Sequence, residues 1–173
     1  MLLVVGGVLI GNSFGMRMLG IVQPKLLAHE EAKKLITQLS TDVGQAKFVR
    51  VGTGDASSFA GIPDSTLKQG NALEIYLSND TNDFIRYFHD SGDDTLKRMT
   101  NGGTATAVAN AVNNDQVFTA EDYLGNILTN EQPRMTIGAV LDYSQLAGSG
   151  TPVGTNEYFT SYVLNIKVAA GNR

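Results

Sequence analysis

The chain lacks several of the residues on which functional sites are commonly built. Cysteine is absent from its 173 residues, which excludes disulfides, thiol catalysis and thiolate metal sites. Tryptophan is also absent, which weakens any case for a carbohydrate or quaternary-amine site based on indole stacking. Charged residues make up 17%, below the usual ~25%. The net charge of −4 argues against nonspecific binding to nucleic acid, because few cations are available to neutralise phosphates.

Catalytic motifs are equally scarce. The two histidines, His29 and His89, fall on separate predicted elements, which disfavours a zinc triad or a Ser–His–Asp arrangement. The stretch Gly52-Thr53-Gly54 lacks a third glycine and follows a predicted helix, so it does not match a dinucleotide-binding loop. The chain also has no Gly-Lys-Ser/Thr phosphate loop. We therefore expect no enzyme activity.

Two acidic loops, 79–83 and 90–94, have the composition of a calcium site. Their carboxylates are Asp80, Asp83, Asp90, Asp93 and Asp94. Calcium prefers six to eight oxygen ligands, and neither loop has the EF-hand spacing or its closing Glu. Solvated turns are the favoured interpretation, with calcium as the alternative. No other cofactor is expected. The aromatic residues of the strands are interpreted as sheet packing rather than as a ligand platform.

The N-terminal segment is the most apolar part of the chain. Its apolar residues are Leu2, Leu3, Val4, Val5, Val8, Leu9 and Ile10. The run is shorter than the roughly 20 residues that span a bilayer, and it lacks the basic start of a signal peptide. We interpret residues 1–25 as the later part of a membrane-anchoring or filament-core helix whose beginning lies upstream of Met1. The alternative is an ordinary buried helix of a soluble protein.

An amphipathic helix is predicted over residues 26–50. Apolar residues recur there at spacings of three and four, which places them on one stripe. Leu35, Ile36, Leu39 and Val43 are expected to seat this helix on a sheet. Joined to residues 1–25 through a kink at Pro24, it would form one bent helix of more than forty residues; the alternative is that Pro24 divides the segment into two helices.

Strand patterns dominate residues 71–169. Met135, Ile137, Ala139, Leu141 and Tyr143 alternate with more polar residues. The run 158–168 alternates in the same way. Alternation of this kind indicates an antiparallel sheet with one buried face, and helix 26–50 is its predicted cover. The sequence thus predicts an α+β fold, with a long N-terminal α-helix packed on one antiparallel sheet. The expected division is an apolar helix over 1–25 and a soluble head over 26–173.

This plan resembles the type IV pilin-like family, which comprises pilins and type II secretion pseudopilins. The resemblance covers nearly the whole chain. It rests on the apolar start and on the segments 42–47, 71–76, 84–88, 96–98 and 117–126. The family's leader motif, a basic segment ending in Gly and followed by Phe-Thr-Leu-x-Glu, does not occur in the sequence. Either it lies upstream of Met1 or the chain is not a working prepilin, so neither the cleavage site nor the acidic residue that guides assembly is assigned.

The resemblance implies a structural subunit of a type II secretion pseudopilus or type IV pilus. Its expected partners are other pilin-like subunits, the secretion or pilus assembly machinery and the inner membrane. The expected location is an inner-membrane anchor with a periplasmic head, or a periplasmic or cell-surface filament. A membrane-tethered periplasmic binding module without a filament role is the alternative. The two differ in whether the apolar helix contacts other pilin-like chains.

Overall fold

The computed structural model of the chain describes residues 30–132, 135–146 and 159–170. These residues form one helix, α1 (30–44), and ten strands. The strands are β1 (Phe48–Gly54), β2 (Phe59–Gly61), β3 (Gln69–Gly70), β4 (Ala72–Tyr76), β5 (Phe84–Asp90), β6 (Thr95–Thr100), β7 (Thr106–Ala109), β8 (Phe118–Glu121), β9 (Thr136–Leu146) and β10 (Phe159–Ala169). The predicted apolar helix 1–25 lies outside the described residues.

Helix α1 forms because its apolar residues share one stripe. Ala32, Leu35, Leu39 and Val43 are all less than 4% exposed. Ile36 was also predicted to seat the helix on the sheet, but its side chain is 38% exposed. The helix ends at Gly44, a poor helix former, before the chain enters β1.

The strands form two antiparallel sheets. The larger has six strands in the order β2-β1-β4-β5-β6-β7, and the smaller has four in the order β10-β9-β8-β3. In the smaller sheet β9 and β10 pair along their whole length, from Leu146 opposite Phe159 to Thr136 opposite Ala169. The alternation predicted for β9 holds, because Ile137, Ala139, Leu141 and Tyr143 are all buried.

One apolar core joins α1 to both sheets. The rings of Tyr87 on β5 and Phe118 on β8 meet edge to face across the sheets, with centroids 6.5 Å apart. Gly70 lies where the sheets come together. A Cβ built there would fall 2.0 Å from the backbone oxygen of Gly52, so only glycine allows this approach.

The predicted α+β architecture, a long N-terminal helix on a single sheet, is wrong. The described chain is mainly β-structure in two antiparallel sheets, and its one helix covers only residues 30–44. The predicted helix 26–50 extends too far, because residues 48–50 already belong to β1. There the buried Val49 and Val51 alternate with the more exposed Phe48 and Arg50, which suits a strand. The predicted sheet, 71–169, also omits β1, β2 and β3.

Candidate functional site

A buried carboxylate fixes α1 to the larger sheet. Asp42 is 8% exposed, and its Oδ2 accepts hydrogen bonds from the Tyr87 hydroxyl at 2.6 Å and from the Arg98 Nε at 2.8 Å. Burial, reinforced by the Asp42 carboxylate, raises the pKa of Tyr87. These contacts tie the helix to β5 and β6. The part of the chain that follows the apolar N-terminal segment is therefore held rigidly in the head.

An open groove lies on the other face of the larger sheet. Its volume is about 570 Å³. Phe88 and Ala105, which belong to a second, small apolar cluster, line it. Residues 53–57 form one side, and Asp90, Ser91 and Lys97 form the other. The groove thus combines apolar lining with polar walls, which is typical of ligand and partner sites.

The frame of the groove is held by side chains that span several strands. The Asn71 amide accepts a hydrogen bond from the Gly54 N–H at 3.0 Å and donates to the carbonyls of Gly54 and His89. The Arg86 Nη1 donates to the carbonyl of Asp55 at 2.8 Å and to that of Ser58 at 3.1 Å. Both sides of the groove are therefore fixed to the sheet beneath them.

The walls of the groove carry ionised groups at neutral pH. The Asp55 Oδ1 accepts hydrogen bonds from the hydroxyl and N–H groups of Ser57 and Ser58, which lower the pKa of Asp55 to about 2. On the other side, the Lys97 Nζ lies 2.7 Å from a carboxylate oxygen of both Asp90 and Asp93. Hydrogen bonding to Lys97 lowers the pKa of both carboxyls.

These lowered pKa values predict a loss of stability in acid. In the unfolded chain the pKa of Asp55 returns to its ordinary value of 3.8, so the stabilisation is complete above that pH and is lost as the pH falls toward 2. The pKa values of Asp90, Asp93 and Asp122 shift in the same direction. We expect the urea midpoint to fall between pH 4 and pH 2. The Asp55→Asn variant should show a smaller fall, and an equal fall would contradict the assignment.

The predicted calcium ligands lie in two surface turns. Asp80 and Asp83 are in the first, and Asp90, Asp93 and Asp94 are in the second. In the second turn, Lys97 already pairs with two of the three carboxylates. Across the described ranges, no three His, Asp or Glu side chains are grouped in a way that could hold a metal ion.

Of the two histidines, the structure describes only His89, which lies at the end of β5. His89 is 4% exposed, and its Nε2 lies 2.8 Å from the carbonyl oxygen of Val112. Its Nδ1 lies 4.0 Å from a carboxylate oxygen of Asp115, so both ring nitrogens face a polar group. His29 lies outside the described residues.

The sequence did not identify the two most exposed large apolar side chains among the residues that the structure describes. Tyr123 is 91% exposed and Leu124 is 70% exposed, on the turn 122–126 that follows β8. The Asp122 carboxylate accepts hydrogen bonds from the N–H groups of Leu124 and Asn126 and from the Asn126 side chain. Gly125 adopts a φ of +88°, which favours glycine. The sequence did contain a signal for this turn. Asp122 precedes the two apolar residues, Gly125 and Asn126 follow them, and all three residue types favour turns.

Among the described residues no helix has the length and apolar character needed to cross a membrane. The predicted anchor, with Leu2, Leu3, Val4, Val5, Val8, Leu9 and Ile10, lies outside them.

Comparison of the chain with family models, with curated proteins and with solved structures finds no match.

Proposed function

We propose that the chain is a structural subunit of a type II secretion pseudopilus or type IV pilus, which assembles through its apolar N-terminal segment. The observation that carries this proposal is the way in which α1 is fixed in the head. Leu35, Leu39 and Val43 bury its apolar stripe, and Asp42 bonds it to β5 and β6. The segment 1–25 is thus joined to a rigid head through a short connection.

The physical basis of assembly is the removal of apolar surface from water. The segment 1–25 would be stabilised first by the inner membrane and then by neighbouring helices in a filament core. Exposure of apolar surface to water costs roughly 25 cal/mol per Å². Transfer of the segment from lipid to the filament is therefore favourable only if neighbouring helices bury nearly all of its apolar surface. The heads would then lie on the outside of the filament and contact one another.

A tethered periplasmic binding module is the second candidate. The groove favours it, because about 570 Å³ of space with apolar lining and fixed polar walls is within the range of small-ligand sites. In that case residues 1–25 would contact lipid and not other pilin-like chains. The described fold is compatible with both functions. They differ in what the apolar segment contacts, which is lipid alone in the binding module and other pilin-like chains in the filament.

Membrane association tests the role of the apolar segment. A charged Asp near the middle of a membrane helix costs about 2.5–3.5 kcal/mol. We expect the protein expressed from its own gene in the native host to remain in carbonate-washed membranes, and its double variant Val5→Asp, Leu9→Asp to move largely to the soluble fraction. A matched double variant on exposed positions of α1, Lys33→Asp and Lys34→Asp, should stay with the membrane. A parent chain that is found in the soluble fraction would overturn both candidate functions.

Photo-cross-linking then separates the two functions. A photoreactive phenylalanine analogue at Leu9 is expected to give covalent products with other pilin-like subunits in the native host. The same analogue at Lys33, which is exposed on α1, serves as the control. Products with lipid alone would reject the filament role and favour the tethered binding module.

A further inference from the structure

Among the described strands, three of the four sheet edges are short and the fourth is long. In the larger sheet the edge strands β2 and β7 have three and four residues, and in the smaller sheet β3 has two. The remaining edge strand, β10, has eleven residues. Short edge strands are one means by which natural proteins prevent a sheet from pairing with another chain. The edge formed by β10 lacks this protection.

The backbone of β10 presents a regular row of polar groups at its outer edge, where no strand of the described ranges lies. The Ala170 N–H donates to the Met135 carbonyl at 2.9 Å, so the N–H and C=O groups of the even-numbered residues of β10 point toward β9. The Val140 N–H donates to the Val117 carbonyl on the other side of β9, which gives the same assignment. The backbone groups that point outward are therefore those of Phe159, Ser161, Val163, Asn165, Lys167 and Ala169.

The sequence of β10 provides little other protection of this edge. The strand contains no proline, and its register with β9 is continuous, so it has no bulge. Its one charged residue, Lys167, lies opposite Gly138 of β9, and its Nζ donates to the Glu121 Oε2 on β8 at 2.5 Å. The side chain thus extends inward over the sheet, where Gly138 leaves room for it. The charge is paired away from the outer edge.

The order of residues makes β10 complementary to a second copy of itself. Leu164 is the middle residue of the eleven. When two copies pair antiparallel about Leu164, each outward residue of one copy faces an outward residue of the other. The pairs are Val163 with Asn165, Ser161 with Lys167 and Phe159 with Ala169. Each pair can exchange two backbone hydrogen bonds, so every outward N–H and C=O of both strands gains a partner.

Charge favours the antiparallel arrangement over the parallel one. Parallel pairing in register would place Lys167 directly opposite Lys167 of the other copy, and like charges in that position are destabilising. Antiparallel pairing about Leu164 places Lys167 opposite the uncharged Ser161. It also places Val163, which is 52% exposed, beside Asn165 of the other copy, so part of its apolar surface is covered.

We propose that two copies of the chain pair through β10, antiparallel and centred on Leu164, so that two four-stranded sheets join into one. Main-chain hydrogen bonds supply the affinity in strand addition of this kind. The contact is isologous and closes after two copies, so it gives a dimer of heads and not the repeat of a filament. It involves the head alone and goes beyond the proposed function, which depends on the apolar segment.

The absence of cysteine makes the register testable. Two differently tagged full-length chains are co-expressed, one carrying Val163→Cys and the other Asn165→Cys. Residues paired in this way have Cα atoms about 5.5 Å apart, which is within the range of a disulfide. Mild oxidation is expected to give mainly dimers with both tags. In the control, Ala169→Cys replaces Asn165→Cys and moves the second cysteine about 13 Å along the strand, which should lower the mixed yield about tenfold.

A proline tests whether the outward backbone groups make the contact. Ser161→Pro, added to both tagged chains, removes an N–H that points outward and leaves the hydrogen bonds to β9 in place. It should lower the mixed yield about tenfold, since each copy loses a hydrogen bond and gains a ring in the interface. Ser161→Ala in both chains should leave the yield unchanged. Melting curves of the two variants check that the head remains folded.

Three results would overturn the inference: no dimer with both tags, an equal mixed yield with the Ala169→Cys control, or dimers mainly between chains with the same tag. The first result would indicate that another part of the chain or a different protein covers the outer edge of β10. The third would indicate parallel pairing. The filament function is judged separately, by the cross-links from Leu9, and neither outcome decides the other.

Discussion

Replacing Arg86 with Leu is expected to lower the free energy of unfolding by about 3–5 kcal/mol, because it leaves a buried carboxylate without its cation. The side chains of Arg86 and Glu74 are 8% and 5% exposed. The Glu74 Oε1 accepts hydrogen bonds from the Arg86 Nε at 2.9 Å and Nη2 at 2.6 Å, and Tyr76 donates to the other oxygen. The guanidinium also lies 5.0 Å from the centroid of the Phe84 ring. Urea unfolding at pH 7 measures the loss.

A matched surface pair provides the control. Arg50 and Glu131 are 3.1 Å apart, but their side chains are 41% and 37% exposed. Arg50→Leu should therefore cost less than about 1 kcal/mol. The double variant Arg86→Leu, Glu74→Leu should recover much of the loss, since it leaves no uncompensated charge. An effect of Arg86→Leu no larger than that of Arg50→Leu would show that the buried pair contributes little.

Replacing Leu39 with Asp is expected to unfold the head. Leu39 is 1% exposed on the buried stripe of α1. Truncation of a buried Leu alone costs about 2–5 kcal/mol, and burial of an unpaired carboxylate adds to this. Marginal stability of about 5–15 kcal/mol leaves little folded protein after such a change. Far- and near-ultraviolet circular dichroism at 25 °C should show the loss of structure.

The neighbouring position tests whether the effect depends on burial. Ser40 is exposed on the same helix, so Ser40→Asp should melt within a few degrees of the parent. If the Leu39→Asp variant melted like the parent, the stripe of α1 could not be part of the core.

Regular patterns along the chain predicted the local elements well. The spacing of three and four identified the stripe of α1, of which Leu35, Leu39 and Val43 are buried. Alternation identified β9 and the inward face of β10, where Leu164 and Ile166 are buried. Both patterns work because the side-chain period of a helix or strand is fixed by its backbone.

The division into two sheets could not be predicted in this way. One edge strand of the smaller sheet is β3, which has only two residues and pairs with β8 about fifty positions later in the chain. A strand of two residues is too short to show an alternating pattern in the sequence. In addition, β3 requires the close approach of Gly70 to Gly52, which the sequence does not reveal. The same glycine-rich region led to the wrong prediction at β1, where Gly52 and Gly54 suggested only the end of a helix.

The candidate site was hidden for a related reason. The groove exists because Asn71 and Arg86 hold loop backbone from distant parts of the chain. No spacing in the sequence encodes such contacts. The exposure of Tyr123 is equally nonlocal, because an apolar residue beside a turn is as compatible with burial as with exposure.

The place where α1 joins the sheet determines how the head bears mechanical load. Tension on the chain before residue 30 enters through the helix and reaches Tyr87 and Arg98 by way of Asp42. These residues lie on β5 and β6, which are paired on both sides within the six-stranded sheet. The pulling force is thus spread over several rows of backbone hydrogen bonds and cannot simply peel away a terminal strand. In the proposed filament function, extraction of the subunit from the membrane would apply such a load.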